Sequence, residues 1–215
     1  MITLFGNLES GNVHKVQMIL HQAGIPFRRV DVSQTKKETS SPEFLKINPI
    51  GKIPAVLFEN GDILTESGAV LFYFAQNTPM WPDDSRTQTE VLRWMFFEQY
   101  SHEPTLAVIR YFRLYDPNSK KHITRLKELE PKGRHALNVM ENQLKQSSWL
   151  VNDICTIADY ALYPYTRLAD EAGFILEHFP SIQNWLSKIE SQPNFISLRS
   201  DGASETISFE QYFNK

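Results

Sequence analysis

Residues 51–75 constrain the fold more than any other part of the sequence. Pro54 precedes an apolar run, and proline is tolerated at the first residue of a strand but not in its middle. Asn60 and Gly61 then give a two-residue turn signal, since both residue types accept a positive φ angle. A second short strand and an amphipathic helix follow, with Ser67 at the N-cap position. The pattern therefore predicts a strand, a hairpin turn, a second strand and a capped helix.

The segment before this stretch predicts a βαβ unit. Residues 2–5 form a short apolar strand, and apolar residues at helical spacing predict a helix over residues 12–24. Residues 27–32 then predict a second strand, parallel to the first. A short helix over residues 42–47 completes the order βαβα-ββα. We therefore expect an α/β domain over residues 1–77, with a sheet of about four strands.

The rest of the chain is predicted to be helical. Residues 78–87 hold two prolines and interrupt every periodicity, which is typical of a linker. Residues 88–215 then form an all-α C-terminal domain. Its predicted helices cover residues 91–115, 122–146, 156–172 and 179–191. Pro104, Pro131 and Pro164 fall within three of these helices and predict kinks or breaks there.

Three further features of this second domain are structural in our interpretation. Thr156 and Asp159 have the spacing of a helix capping box. Cys155 beside them is interpreted as a packed thiol, and as the single cysteine it excludes an internal disulfide. The last twenty residues are too polar to assign, apart from a docking of their aromatic residues, Phe209, Tyr212 and Phe213.

Composition and charge exclude several classes of protein. No apolar run reaches the length of a membrane span, and the N-terminus does not resemble a signal peptide, so we expect a soluble cytoplasmic protein. The net charge of -3 gives no electrostatic footprint for nucleic acid or an anionic membrane, and neither partner is expected. The histidines are dispersed, with His14 and His21 expected on a helix surface. We therefore expect no metal site.

Four landmarks together resemble the glutathione S-transferases. They are Ser10-Gly11-Asn12 before the first helix, Lys52-Ile53-Pro54 at the third strand, Glu66-Ser67 before the third helix, and the capping box from Thr156 to Asp159. Each motif alone is unspecific, but the four occur in the family's order and spacing over essentially the whole chain. The resemblance implies a thioredoxin-like N-terminal domain. It is greatest to theta-like and bacterial members that use Ser or Thr with Asn beside the first helix.

The resemblance also implies a glutathione site. In the family the peptide bond before Pro54 is cis, which turns the backbone of Ile53 outward to pair with the cysteinyl part of glutathione. Ser67, at a helix N-terminus, offers a hydroxyl and an N–H to the γ-glutamyl carboxylate. Glu66 is suited to the ammonium group. Lys52 contacts the peptide backbone or the glycyl carboxylate, unless it is simply a solvated lysine.

Activation of the glutathione thiol defines the role expected of Ser10. A free thiol has a pKa of about 8.5, and lowering it by two units takes about 2.7 kcal/mol. A helix N-terminus supplies only about 0.3–1 kcal/mol, whereas a hydrogen bond to a charged group supplies about 1.5–3 kcal/mol. We expect the Ser10 hydroxyl to be that donor, with the Asn12 side-chain amide assisting. The alternative is that either residue only caps the helix.

The implied reaction is attack of the glutathione thiolate on an electrophilic carbon, as in detoxification. Two alternatives stay open: reduction of a disulfide or peroxide, and a non-catalytic interaction module with this fold. No cysteine lies near residue 10, which argues against a mixed disulfide with the protein. The resemblance further implies a homodimer. Six side chains are candidates for the wall of a second-substrate pocket, and core packing is the alternative for each of them. They are Trp94, Phe97, Tyr100, His102, Arg110 and Tyr111.

Overall fold

The computed structural model describes residues 1–214, and the chain divides into two compact units. The first unit contains residues 1–76 together with the residues from Pro193 onward, and the second contains residues 77–192. A mixed sheet with helices forms the first unit and helices dominate the second, which confirms the predicted fold class. The C-terminal residues, however, were expected in the all-α domain and instead belong to the first unit.

The first unit is built around one mixed sheet. Its elements are β1 (Ile2–Phe5), α1 (Gly11–Gln22), β2 (Phe27–Asp31), α2 (Pro42–Ile47), β3 (Ala55–Leu57), β4 (Ile63–Thr65), α3 (Ser67–Ala75), β5 (Glu205–Ser208) and, at the end of the chain, a short helix, Phe209–Phe213. The strand order is β4-β3-β1-β2-β5. Strand β1 pairs parallel with β2 and β3 pairs antiparallel with β4, as the βαβ and hairpin patterns predict. Strand β1 also pairs antiparallel with β3.

Helix α1 is buried more completely than its sequence pattern indicates. Every residue from Val13 to Leu20 is buried, including polar ones. His14, which we expected on the helix surface, is only 1% exposed. The expectation was wrong because an apolar stripe at helical spacing identifies one buried face, whereas this helix is covered on several faces.

The hairpin between β3 and β4 has a longer turn than predicted. The Gly61 N–H donates to the Phe58 carbonyl oxygen at 3.0 Å, and the Phe58 N–H donates to the Asp62 carbonyl oxygen at 2.9 Å. Gly61 has a φ of 91°, while Asn60 keeps a negative φ. The loop therefore has three residues, 59–61, with glycine alone in the left-handed region.

The C-terminal segment adds a strand that the sequence pattern does not reveal. Strand β5 pairs parallel with β2, with Val30 opposite Ile207. The short helix after it places the rings of Tyr212 and Phe213 against Phe5, at centroid distances of 5.1 and 6.3 Å. The predicted docking of the tail aromatics is thus confirmed, but the sheet has five strands within the described residues, where about four were expected.

The second unit consists mainly of helices. They are α4 (Ser85–Phe97), α5 (Glu103–Tyr115), α6 (Lys120–Leu144), α7 (Ile157–Arg167) and α8 (Pro180–Glu190). Helix α4 thus begins inside the stretch that we expected to be a linker. A wider π-helical turn, Glu98–His102, separates α4 from α5, so the change of helix type precedes Pro104, which lies in the first turn of α5. Helix α6 continues across Pro131, where we expected a bend or a break.

The capping box of α7 is confirmed. The Asp159 carboxylate accepts the Thr156 backbone N–H at 2.9 Å, and the Thr156 hydroxyl oxygen accepts the Ala158 N–H at 3.3 Å. Asp159 also accepts the backbone N–H of Leu150 at 3.0 Å and the indole N–H of Trp185 at 2.8 Å. This one carboxylate therefore joins the loop before α7 to helix α8.

Candidate functional site

The loop between β1 and α1 is held against β2 by backbone and amide hydrogen bonds. The Gly6 N–H donates to the Val30 carbonyl oxygen at 3.0 Å. The side-chain amide of Asn7 donates to the Val32 carbonyl oxygen at 2.8 Å. These bonds fix the start of the loop that carries Ser10 into the N-terminus of α1.

Ser10 is the N-cap residue of α1. Its hydroxyl oxygen accepts the Val13 N–H at 3.3 Å, and its backbone is extended, with a φ of -85° and a ψ of 116°. A hydroxyl has one proton to donate in addition to its acceptor lone pairs. Capping uses a lone pair, so the O–H proton of this half-exposed side chain stays available for a ligand.

Asn12 and Ser67 meet where α1 and α3 begin. The Ser67 hydroxyl donates to the Asn12 side-chain oxygen at 3.4 Å, although the two residues are 55 positions apart. Because the amide oxygen of Asn12 accepts this bond, its NH₂ group is the donor end of the side chain. The structure thus brings together two of the residues that the sequence predicted for a glutathione site.

The start of α3 corrects our prediction for Ser67. Ser67 is the first helical residue rather than the N-cap, and Glu66 precedes it with a φ of 66°. The Glu66 carbonyl oxygen accepts the Val70 N–H at 3.0 Å, whereas its side chain makes no capping bond. The Glu66 carboxylate is exposed. The Ser67 N–H belongs to the first turn, whose N–H groups lack helical partners and favour anions.

The segment before β3 presents unpaired backbone groups. The peptide bond between Ile53 and Pro54 is cis, as predicted. Within the described residues, the N–H and C=O groups of Ile53 make no backbone hydrogen bond. An extended segment with unpaired backbone groups can accept a peptide as an added strand.

Asn48 organises this segment, a role that the sequence analysis missed. Its side-chain amide donates to the Lys52 carbonyl oxygen at 2.7 Å, and its side-chain oxygen accepts the Ile50 N–H at 3.1 Å. Asn48 is buried, while the Lys52 side chain is exposed. The relevant signal was an asparagine in a loop, since its amide can bond to nearby backbone groups.

The candidates for a second-substrate pocket divide by burial. Trp94, His102 and Arg110 are buried, and the latter two are bonded within the second unit. His102 Nε2 lies 2.9 Å from the Thr166 hydroxyl oxygen, and Arg110 pairs with Glu171 at 2.6 Å. The burial of Trp94 and these contacts of His102 and Arg110 favour the packing interpretation for all three. Of the remaining candidates, Phe97 is half-buried, whereas Tyr111 and Tyr100 are exposed.

The single cysteine, Cys155, is packed in the second unit. Burial raises the pKa of the Cys155 thiol, and the nearby Asp159 carboxylate raises it further, which agrees with a packed and unreactive side chain. No group of three or more His, Cys, Asp or Glu side chains in residues 1–214 is arranged to hold a metal ion. Over the same residues, the helices are too short or too polar to cross a membrane.

Comparison with known proteins identifies both parts of the chain. Residues 1–76 match the model of the glutathione S-transferase N-terminal domain, and residues 99–193 match that of the C-terminal domain. Among curated proteins, the chain is similar to the disulfide-bond oxidoreductase YfcG of Escherichia coli. The two are 29% identical over 189 residues, which cover 85% of this chain and 87% of YfcG.

Solved structures give the same result. A glutathione S-transferase from Pseudomonas fluorescens is 39% identical, with a TM-score of 0.90 over 93% of this chain and 99% of the other. Yeast Ure2p in complex with glutathione is 26% identical, with a TM-score of 0.82 over 90% of this chain and 95% of the other.

Proposed function

This chain belongs to the glutathione S-transferase family, and we propose that it is an enzyme that binds glutathione and activates its thiol. The observation that carries the proposal is the meeting of Asn12 and Ser67, 3.4 Å apart, at the beginnings of α1 and α3. Two helix N-termini and the Ser10 hydroxyl then belong to one site. Helix capping accounts for the Ser10 hydroxyl, but it does not require a contact between Asn12 and Ser67 across the two helix starts.

Each part of glutathione has a matching group in this proposal. The Ile53 backbone pairs with the cysteinyl residue in the manner of an added strand. The Ser67 N–H binds the γ-glutamyl carboxylate, the Ser67 hydroxyl turns its proton from the Asn12 oxygen to the same carboxylate, and Glu66 binds the ammonium. Lys52 contacts the peptide backbone or the glycyl carboxylate. The ligand is thereby oriented with its thiol toward the N-terminus of α1.

Ser10 stabilises the thiolate in our proposal, and Asn12 assists it. The Ser10 hydroxyl caps α1 through a lone pair and donates its proton to the sulfur, so it combines a charge-assisted hydrogen bond with the helix dipole. The sum of these two terms, about 2–4 kcal/mol, covers the roughly 2.7 kcal/mol needed to lower the thiol pKa by two units. Catalysis then rests on a stabilised and positioned nucleophile, without a covalent protein intermediate.

The primary reaction that we propose is conjugation, in which the thiolate attacks an electrophilic carbon and displaces a leaving group. Reduction of a disulfide or a peroxide is the second candidate, because YfcG is named a disulfide-bond oxidoreductase. In that reaction the thiolate attacks one disulfide sulfur and expels the other as a thiolate. The thiolate of a second glutathione then attacks the glutathione sulfur of this mixed disulfide, which forms glutathione disulfide and expels the substrate's other sulfur as a thiolate.

Calorimetric titration with glutathione tests the proposal first. Saturable binding at up to millimolar glutathione is expected, and its absence would favour a non-catalytic interaction module. Turnover is then measured with a chloroarene, a hydroperoxide and a mixed disulfide of glutathione. Activity on the chloroarene supports conjugation, whereas activity confined to the mixed disulfide or the hydroperoxide selects the second candidate.

A matched pair of serine variants separates thiol activation from binding. Ser10→Ala is expected to lower kcat about 10- to 100-fold with little change in the dissociation constant of glutathione, because it removes a bond made to the thiolate. Ser67→Ala is expected to weaken glutathione binding by a similar factor, because its partner is the carboxylate. An unchanged kcat in Ser10→Ala would transfer the thiolate role to Asn12 or to backbone N–H groups.

We also propose that the enzyme is a homodimer and works in the cytoplasm on small electrophiles, in detoxification. The support for the compartment is the single cysteine, Cys155, which leaves no internal disulfide to form. The support for the dimer is a pair of exposed apolar surfaces, one around β4 and α3 in the first unit and one along α4 and the turn after it in the second.

A further inference from the structure

A buried arginine joins the loop of Ser10 to the C-terminal segment. Arg29 lies on β2 and is only 4% exposed. Its Nη1 atom donates to the Gly6 carbonyl oxygen at 3.1 Å and to Asp31 at 2.5 Å. Its Nη2 and Nε atoms donate to the two carboxylate oxygens of Asp201, at 2.9 and 3.3 Å. The Asp201 carboxylate therefore holds the Nε and Nη2 side of the guanidinium, while the Nη1 atom of the same planar group bonds to the Gly6 carbonyl.

Asp201 is itself held in place by the segment around it. Its carboxylate accepts the Thr206 hydroxyl at 2.7 Å and the Ala203 N–H at 3.3 Å. The next residue, Gly202, offers its carbonyl oxygen to His21 Nε2 at 3.0 Å. A Cβ atom at Gly202 would lie 1.9 Å from that nitrogen, so only glycine permits this close approach.

The Asp201 carboxyl carries the negative charge that its contact with Arg29 requires. Burial alone would raise the pKa of its carboxyl, but the hydrogen bonds from Arg29 and Thr206 outweigh burial and hold the pKa below its ordinary value of 3.8. Asp201 is therefore ionised at neutral pH. A charged bidentate acceptor gives the Arg29 guanidinium both a partner and a fixed orientation.

Gly6 connects the Arg29 guanidinium to the first turn of α1, because its carbonyl bonds to Arg29 and its Cα packs against Val13. Gly6 lies so close to α1 that a Cβ atom there would be 2.3 Å from Val13 Cγ2. The N–H of the same Val13 is the group that the Ser10 hydroxyl caps, at 3.3 Å. A shift of the Gly6 carbonyl therefore moves the loop and the first turn of α1 together.

We propose that Asp201, in the C-terminal segment, is a positioning residue for the Ser10 hydroxyl, acting through Arg29 and Gly6. This inference rests on the proposed role of Ser10 in thiol activation. The segment also reaches the loop through an ion pair between Arg199 and Glu9 at 3.0 Å. Both of those side chains are substantially exposed, so this pair contributes little compared with the buried contact.

The test compares Asp201→Asn with Glu205→Gln in the chain of 215 residues. Glu205 pairs with Arg28 at 2.6 Å in the same segment but does not reach Gly6, so its variant is the matched control. Asp201→Asn is expected to lower kcat about 10- to 100-fold, since small misplacements of a catalytic group have effects of that size, with glutathione affinity almost unchanged. The thiolate absorbance of bound glutathione should titrate at higher pH. Glu205→Gln should match the wild type in all three measurements.

A double variant separates positioning from a general loss of structure. In a Ser10→Ala background, Asp201→Asn should lower kcat by less than about twofold, because the group that it positions is already gone. An equal loss in both backgrounds, or equal losses in Asp201→Asn and Glu205→Gln, would overturn the inference. Full activity in Ser10→Ala would also overturn the inference, because thiol activation would then belong to Asn12 or to backbone N–H groups. Wild-type protein that fails to bind glutathione would instead refute the proposed function.

Discussion

The Ser10 hydroxyl illustrates how one small group can have two roles. As an acceptor it caps α1 through the Val13 N–H, and as a donor it has a proton left for a thiolate. Ser67 combines roles in a similar way, because its hydroxyl bonds to Asn12 while its N–H stays in the unpaired first turn of α3. Helix capping is therefore compatible with ligand binding at Ser10, and the bond to Asn12 leaves the Ser67 N–H available for a ligand.

His14 gives a prediction for the pH dependence of stability. Burial, with repulsion from His21 as a smaller cause, lowers its pKa from 6.5 to about 4. The unfolded chain therefore binds a proton at His14 that the folded chain does not, so stability falls as the pH falls from 6.5 toward 4. The expected loss is about 3 kcal/mol in the free energy of unfolding.

Urea titrations at several pH values measure this loss. The variant His14→Leu keeps a similar volume without a titrating group. The free energy of unfolding of the wild type, relative to that of the variant, should therefore fall by about 3 kcal/mol as the pH falls from 6.5 toward 4. A difference that is constant from pH 7 to pH 4 would contradict the assignment to His14.

The C-terminal segment and helix α7 show how individual elements depend on distant partners. Strand β5 covers the edge of β2, and the helix after it packs aromatic rings on Phe5. Helix α7 begins at a carboxylate that also bonds to the Leu150 N–H and the Trp185 indole. In both cases an element is stabilised by contacts with residues outside it in the chain.

Asp159 supplies the prediction for α7. Asp159→Ala removes the acceptor of four buried donors: the backbone N–H groups of Leu150 and Thr156, the Thr156 hydroxyl and the Trp185 indole. It should lower the free energy of unfolding by about 3–5 kcal/mol. Asp84, the exposed N-cap of α4, provides a control, because water replaces its carboxylate in Asp84→Ala. Urea unfolding followed by circular dichroism should show a much smaller loss for that variant. Equal losses would contradict a special role for Asp159.

Each unit presents an exposed apolar surface. In the first unit Ile63, Phe72 and Tyr73 are exposed around β4 and α3. In the second unit Leu92, Phe96 and Tyr100 are exposed at intervals of four residues, and Tyr100 is 89% exposed. Contiguous exposed apolar residues are typical of protein interaction sites. These surfaces support the homodimer that we propose.

Light scattering coupled to size exclusion tests the dimer. The wild type should have about twice the 24.9 kDa mass of one chain. Phe96→Glu places a charge in the proposed interface and should give a monomer. Ile123 is also exposed but lies on α6, so Ile123→Glu should remain a dimer. A wild-type monomer at micromolar concentration would exclude the proposed assembly.

Local sequence patterns were sufficient to predict structure that depends only on residues close together in the chain. Apolar periodicity predicted β1, α1 and β2, and a proline before a short strand, together with the family resemblance, predicted the cis bond at Pro54. The capping box from Thr156 to Asp159 followed from a three-residue spacing. Such features are local because hydrogen bonds and backbone sterics within a few residues decide them.

The tertiary structure alone decided the contacts that link distant segments. Arg29 and Asp201 are 172 residues apart, and the four residues of β5 are too polar and too few for a periodic signal. The burial of His14 also depends on what covers α1, not on α1 itself. A charge or a polar strand finds its partner only when the fold brings the two together, which is why the C-terminal segment could not be placed from its sequence.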